Sequence, residues 1–176
     1  MSTLADVTLL TGGDWREQFM RQLRDAKTSV KISVFLFSPR WHTPTHNILA
    51  ACTDAAARGL QCRIILSPSP LKVGKRRPNY DTAQKLLAAG WQVRVITGSR
   101  VLHEKIAIFD DTAAIVGSHN ISVSSATTNL DTSVMLEGES IVSQVTAHFW
   151  SRWRIASKPD SVAWPLHTPI ELPFTP

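Results

Sequence analysis

The chain has 176 residues, with 19 Lys and Arg against 14 Asp and Glu and a formal charge of +5. Its pI is about 9.6. That length suits a single α/β domain, and no apolar run approaches the roughly 20 residues of a membrane-spanning helix. The opening MSTLADVTLL lacks a basic stretch followed by an apolar core, so no signal peptide is read and a cytoplasmic protein is expected.

Asp14 is placed to cap a helix over 15–26, in which Trp15, Phe19 and Leu23 recur on one face. Residues 29–37, SVKISVFLF, read as a strand. A helix over 45–58 is stopped by Gly59, and 61–67 form the next strand. A helix over 80–89 is closed by Gly90 and followed by a strand over 91–97. Residues 101–109 and 113–116 read as two antiparallel strands around the turn Asp110-Asp111-Thr112. A strand over 132–138 precedes a last helix over 140–156, with Val142, Val145, Phe149 and Trp153 on one face. This alternation implies a mixed β-sheet sandwiched between helices, one domain over 1–157. Residues 158–176 are Pro-rich and hold Trp164, Leu166, Ile170, Leu172 and Phe174, which suits an extended arm packed on the domain or on a dimer mate. Cys52 and Cys62 have apolar neighbours and read as buried free thiols. No ligand cluster for a metal is evident, and Pro44 denies helical geometry to the pair His42 and His46.

One stretch carries chemistry. Residues 101–120 contain H-x-K-x4-D-x6-G-S-x-N, that is His103, Lys105, Asp110, Gly117, Ser118 and Asn120. Side chains two apart on a strand share a face, so His103 and Lys105 point together while Glu104 and Ile106 oppose them. In a hairpin the end of the second strand lies beside the start of the first. An imidazole, an ammonium, a hydroxyl and a carboxamide then converge on one volume. That set suits a phosphate, with donors for its oxygens and a nitrogen nucleophile or base. Asp110 is expected to fix the turn through backbone amides, and Gly117 to let the backbone pass close to the site. His119 alternates away from Ser118 and Asn120.

In these residues the chain resembles the phospholipase D superfamily, with every signature position present in order. A weaker resemblance runs from about Val7 to Trp153. It implies that His103 attacks phosphorus to form a phosphohistidine, and that a second histidine protonates the leaving oxygen and then activates water. Lys105 and Asn120 would hold the non-bridging oxygens and Ser118 would assist, with no metal and no cofactor. Family members usually carry an acid, most often Glu, near Asn129-Leu130-Asp131. Asp131 would there orient His103 and stabilise its cationic form; the alternative is a solvated loop acid. None of His42, His46, His119, His148 and His167 has Lys two residues on, so a second motif is missing. Small members of the superfamily carry one motif and pair. The resemblance therefore implies a homodimer in which each protomer supplies one His103, and a bell-shaped pH–rate profile.

Lys72, Lys75, Arg76 and Arg77 cluster in SPLKVGKRRPN. A basic loop of this kind fits a polyanion backbone and releases counterions on binding; a solvated loop kept basic for solubility is the bland alternative. Trp41 can stack on a base or cover the core. The small members resembled are mostly nucleases, so the expected function is a metal-independent endonuclease acting on DNA or RNA, with any specificity supplied by a larger complex. A lipid phosphodiesterase or phosphatidyl transferase is the first alternative, and it would want an apolar rim or an anchor. A nucleic-acid-binding module with lapsed catalysis is the second, and the intact signature argues against it.

Overall fold

Runs of β-branched residues alternate with helical-period segments, and each becomes a strand of one sheet or part of its cover. The computed structural model describes residues 5–38, 44–68, 78–98 and 101–161. Trp41, Lys72, Lys75, Arg76 and Arg77, and the arm from 162 onward, lie outside the described residues. In chain order the elements are β1 (Asp6–Thr11), α1 (Gly12–Asp25), β2 (Ser29–Val34), α2 (Pro44–Ala57), β3 (Gln61–Leu66), α3 (Pro78–Ala88) and β4 (Gln92–Val95). They continue with β5 (Lys105–Phe109), β6 (Ala113–Gly117), α4 (Val123–Thr127), β7 (Thr132–Glu137) and α5 (Glu139–Ile155). A short 3-10 turn, Pro159–Ser161, follows.

The strands form one sheet in the order β1-β7-β6-β5-β2-β3-β4. β2, β3 and β4 are parallel neighbours joined through α2 and α3, since parallel pairing requires a crossover. The other neighbours pair antiparallel. This is the mixed sheet between helices that the alternation implies. On one face, Trp15, Phe19 and Leu23 of α1 pack with Ile48 and Leu86 against Ile32, Ile64 and Leu66. On the other, Val142, Phe149 and Trp153 of α5 cover Ile65, Ile106, Ile108 and Ala114. Each fully buried Phe or Ile among these contributes about 1.5–3 kcal/mol by leaving water. Both cysteines are buried and free, and burial pushes the Cys62 thiol up to about 11.

The structure differs from these expectations in four places. The helix expected behind Asp14 starts earlier: Thr11 is its N-cap, Gly12 turns the chain at φ 48, and Asp14 sits in the first turn. There its charge still complements the positive end of the helix dipole. β1 is a strand that the sequence reading does not include; its Leu10 is buried, while Val7 and Leu9 on the other face are 61% and 64% exposed. Two expected strands, over 29–37 and 101–109, are shorter than their apolar runs. β2 stops at Val34, and Phe37 instead bridges to Ile121; β5 begins only at Lys105. The Ser-rich helix α4 has too few residues to show a period.

The β5–β6 connection is Asp110-Asp111-Thr112, in which Asp110 and Asp111 are both left-handed at φ 53 and 57. The Thr112 N–H donates to the Phe109 carbonyl at 3.0 Å, which closes a tight turn whose two central residues have positive φ. The amides that Asp110 holds are not those of its own turn. Its carboxylate accepts from the backbone N–H groups of Lys27, Thr28 and Ser29 at 2.7, 2.8 and 2.9 Å and from the Thr28 hydroxyl at 2.9 Å. It thereby fastens the hairpin to the α1–β2 connection. Buried Lys31 donates to both oxygens of Asp111 at 2.9 Å, and Thr146 of α5 donates to one of them at 3.0 Å.

Candidate active site

The end of β2, the start of β5, the end of β6 and the start of β7 meet at one end of the sheet, because these neighbours run antiparallel. The signature residues other than Asp110 sit on those ends or within three residues of them. The Lys105 ammonium lies 3.2 and 3.3 Å from the two ring nitrogens of His103 and donates to the His103 carbonyl at 2.6 Å. Lys105 is 8% exposed, while the His103 ring faces solvent. Phe35 backs both: its ring is 4.9 Å from the imidazole and 5.4 Å from the ammonium. Glu104 turns the opposite way, as strand alternation requires, although the ladder itself starts one residue later.

The electrostatics favour a neutral imidazole. Partial burial, and then the Lys105 charge, hold His103 below the usual histidine range. Burial also lowers Lys105, and the Asp131 carboxylate partly restores it. A neutral ring beside an ammonium offers a lone pair and a cation at the same point. That combination can attack an electrophile and hold the charge displaced onto its oxygens.

Asn120 is fixed from two sides. Its Oδ1 accepts from the Leu36 N–H at 3.1 Å, and its own N–H donates to Ser125 Oγ at 3.1 Å. Spending Oδ1 on Leu36 leaves the amide NH₂ as the end available for an anion. Ser118 differs from expectation. Its hydroxyl donates to Asp131 Oδ1 at 2.8 Å and accepts from the Thr132 N–H at 2.9 Å. Its proton is thus directed to a carboxylate within the protein.

Asp131 makes that contact in place of the one expected to His103. Its carboxylate accepts from Ser118 and, at 3.3 Å, from Asn129 Nδ2. Ser118 meets the carboxylate, and Asp has one methylene less reach than Glu. Burial pushes its carboxyl up, but hydrogen bonds from Ser125, Ser118 and Asn129, with the nearby His119, outweigh that and hold it below the usual range. Gly117 is needed for closeness to a neighbour: a Cβ there would lie 2.2 Å from Ser133 Oγ and 2.4 Å from the Ser133 Cα. His119 lies buried behind the site, on the α1 side of the sheet. It is 2% exposed, stacks on Trp15 with centroids 4.9 Å apart, and its Nδ1 lies 2.8 Å from Ser133 Oγ.

Two supports are not legible in the motif. Asn79 of α3 is fully buried. It accepts from the Phe37 N–H and donates to the carbonyls of Phe35 and Ser67, all at 2.8 Å. This clasp sets the 35–37 segment, and with it the Phe35 ring and the Leu36 amide. Glu104 bonds His148 Nε2 at 2.7 Å and Arg152 Nε at 2.9 Å on α5, which anchors the residue between His103 and Lys105. A larger groove of about 710 Å³ between β1 and α1, lined by residues including Arg16, Arg21 and Arg24, contains none of the signature side chains. Among the described residues, no group of three or more His, Cys, Asp or Glu is arranged to hold a metal, and no helix is long and apolar enough to cross a membrane.

The family described as "Cardiolipin synthase, PLD-like domain" matches residues 19–153. A cardiolipin synthase of Halalkalibacterium halodurans is 29% identical over 142 residues, covering 80% of this chain and 28% of that protein. The chain therefore spans under a third of the length of that curated relative. Among solved structures, Nuc from Salmonella typhimurium, a phospholipase D family member, superposes with a TM-score of 0.72 at 20% identity, covering 87% of this chain and 98% of Nuc. NucT from Helicobacter pylori superposes with a TM-score of 0.73 at 17% identity, covering 88% and 99%. Both share the fold.

Proposed function

The chain belongs to the phospholipase D-like domain family, and on that premise we propose that it is a metal-independent phosphodiesterase that cleaves nucleic acid. The reading further holds that its site is completed by a second protomer. The observation that carries the chemistry is the pairing of a neutral His103 ring with the Lys105 ammonium at 3.2–3.3 Å. In this reading the His103 lone pair attacks phosphorus. A P–N bond forms, the P–O bond to the leaving strand breaks, and the partner's His103 gives that oxygen a proton. Water then attacks phosphorus and passes a proton to the same partner imidazole, and the P–N bond breaks to restore neutral His103. Lys105 and the Asn120 amide NH₂ take the non-bridging oxygens, where charge accumulates. Asp131 acts through Ser118, keeping the β6–β7 end in place.

Nucleic acid is favoured as substrate by the charge of +5. Lys72, Lys75, Arg76 and Arg77 are assigned to the phosphate backbone and Trp41 to a base. A lipid phosphodiesterase or phosphatidyl transferase is the second reading, and the cardiolipin synthase match favours it. Digestion of labelled DNA and RNA in EDTA, beside phosphatidylglycerol vesicles, separates them. Cleavage of nucleic acid is expected. Turnover of lipid alone would establish the second reading, and binding without cleavage would mean that catalysis has lapsed.

A further inference from the structure

The Asn120 carboxamide keeps its NH₂ for an anion because its oxygen is already taken, by the Leu36 N–H at 3.1 Å. That N–H belongs to the peptide joining Phe35 to Leu36. A trans peptide is planar, so its carbonyl points away from its N–H and the two cannot be aimed separately. The Phe35 carbonyl, at the other end of the same plane, accepts from Asn79 Nδ2 at 2.8 Å. One line of hydrogen bonds therefore runs from Asn79 through a single peptide to Asn120. It joins α3, the segment after β2 and the segment after β6.

The polarity of that line is set at its buried end. Asn79 is 0% exposed and both ends of its amide are committed. Nδ2 also donates to the Ser67 carbonyl, and Oδ1 accepts from the Phe37 N–H, each at 2.8 Å. Turning this amide over would set its NH₂ against an N–H and its oxygen against two carbonyls, in a place closed to solvent. Asn120 has no such lock of its own. It is half-buried, and among the described residues its side chain bonds Leu36 alone. Inverted, it would present Oδ1 to the phosphate oxygens and repel them.

We propose that Asn79 is a positioning residue for the phosphodiester site. By holding the Phe35 carbonyl it fixes the Phe35–Leu36 peptide, and through the Leu36 N–H it keeps Asn120 with the NH₂ toward the phosphate. The inference rests on the site reading given above and adds to it a residue outside the signature that touches no substrate. Thr82 supplies the control. One turn further along α3, it donates to the Phe37 carbonyl at 2.8 Å. It thus holds the same segment but a different peptide.

The test is a double-mutant cycle on the full chain: wild type, Asn79→Ala, Asn120→Ala and the pair, with Thr82→Val beside them. Each is read by circular dichroism, urea unfolding and initial rates on bis(p-nitrophenyl) phosphate. Asn120→Ala should lower kcat about 100-fold, and Asn79→Ala about 10- to 100-fold. The pair should fall within about 2-fold of Asn120→Ala alone. Thr82→Val should lose stability yet keep kcat within about 2-fold of wild type. Wild-type kcat in Asn79→Ala would refute the inference and leave the proposed function standing. An Asn79 effect that persists in full in the Asn120→Ala background would also refute it, placing the action in the Phe35 ring behind His103 and Lys105. So would a kcat loss in Thr82→Val as large as that in Asn79→Ala. Hydrogen exchange on the wild type tests the relay even if Asn79→Ala does not fold. The Leu36 N–H should be protected like the ladder amides of β2, and fast exchange would overturn the relay. A wild type that hydrolyses no phosphodiester would refute the proposed function, and with it the role given to Asn79.

Discussion

Asp110 lies at the far end of the hairpin from His103, yet it fastens the strand that carries Lys105. Replacing it by Ala removes four hydrogen bonds to a carboxylate, three of them from backbone N–H groups at 2.7–2.9 Å. Bonds to charged groups are worth about 1.5–3 kcal/mol each in isolation. These share one partly solvated carboxylate, so they do not add, and the freed amides can regain water. A total near 2–3 kcal/mol follows. The left-handed φ of 53 adds about 1 kcal/mol for Ala, which fits that region poorly, whereas Asn and Gly tolerate it. Asp110→Asn keeps an acceptor at Oδ1, which takes three of the four bonds, and should cost about 1–2 kcal/mol. The expected order of loss is Asn, then Gly, then Ala, at about 3–4 kcal/mol for Ala. Backbone and hydroxyl hydrogen bonds outweigh burial and hold the Asp110 carboxyl below its usual range. A depressed folded-state pKa means that the stabilisation is present above the unfolded value of about 4 and disappears as pH falls through the folded one. Urea unfolding at neutral pH and in acid measures both effects. If Ala at 110 costs less than about 0.5 kcal/mol, or the acid slope is unchanged in the variants, the carboxylate is not the fastening described.

Other consequences are as direct. Gly117→Ala places a Cβ against the Ser133 backbone, so β6 and β7 must part; stability should fall by about 1–3 kcal/mol and turnover by about 100-fold as the site shifts, read by urea melts and initial rates. Lys105→Met should lower kcat about 100- to 1,000-fold. Because the ammonium helps to hold His103 low, its loss should also move the acid limb of the pH–rate profile to higher pH. The wild-type profile should be bell-shaped, with its acid limb below the ordinary histidine value near 6.5; a rate that is flat from pH 5 to 9 would contradict paired imidazoles.

The backbone placement of the signature is legible because its residues lie in one hairpin. The register sets the start of β5, which His103 and Lys105 flank, beside the end of β6, which Ser118 and Asn120 follow, and one tight turn between neighbouring residues is enough to do so. What closes the site is not local. Asn79 reaches the 35–37 segment from α3, and Glu104 finds His148 and Arg152 more than 40 residues away. A buried Asn and an acid inside an H-x-K triplet carry no mark of their partners. Asp131 was recognisable by place but not by contact, because the intervening Ser118 is seen only in three dimensions. The helices and central strands followed their periods, as Trp15, Phe19 and Leu23 and Val142, Phe149 and Trp153 illustrate. β1 was not read, since six residues with only Leu10 buried give no strong period.

The central claim, that His103 carries the phosphoryl group, is tested most directly by quenching the enzyme in alkali during turnover of an oligonucleotide labelled at every internal phosphate and sequencing the labelled peptide by mass spectrometry. Label on the peptide containing His103, labile to acid and absent from His103→Asn, is the expected result. Cleavage that proceeds at wild-type rate in His103→Asn, or a covalent adduct on any other residue, would contradict it.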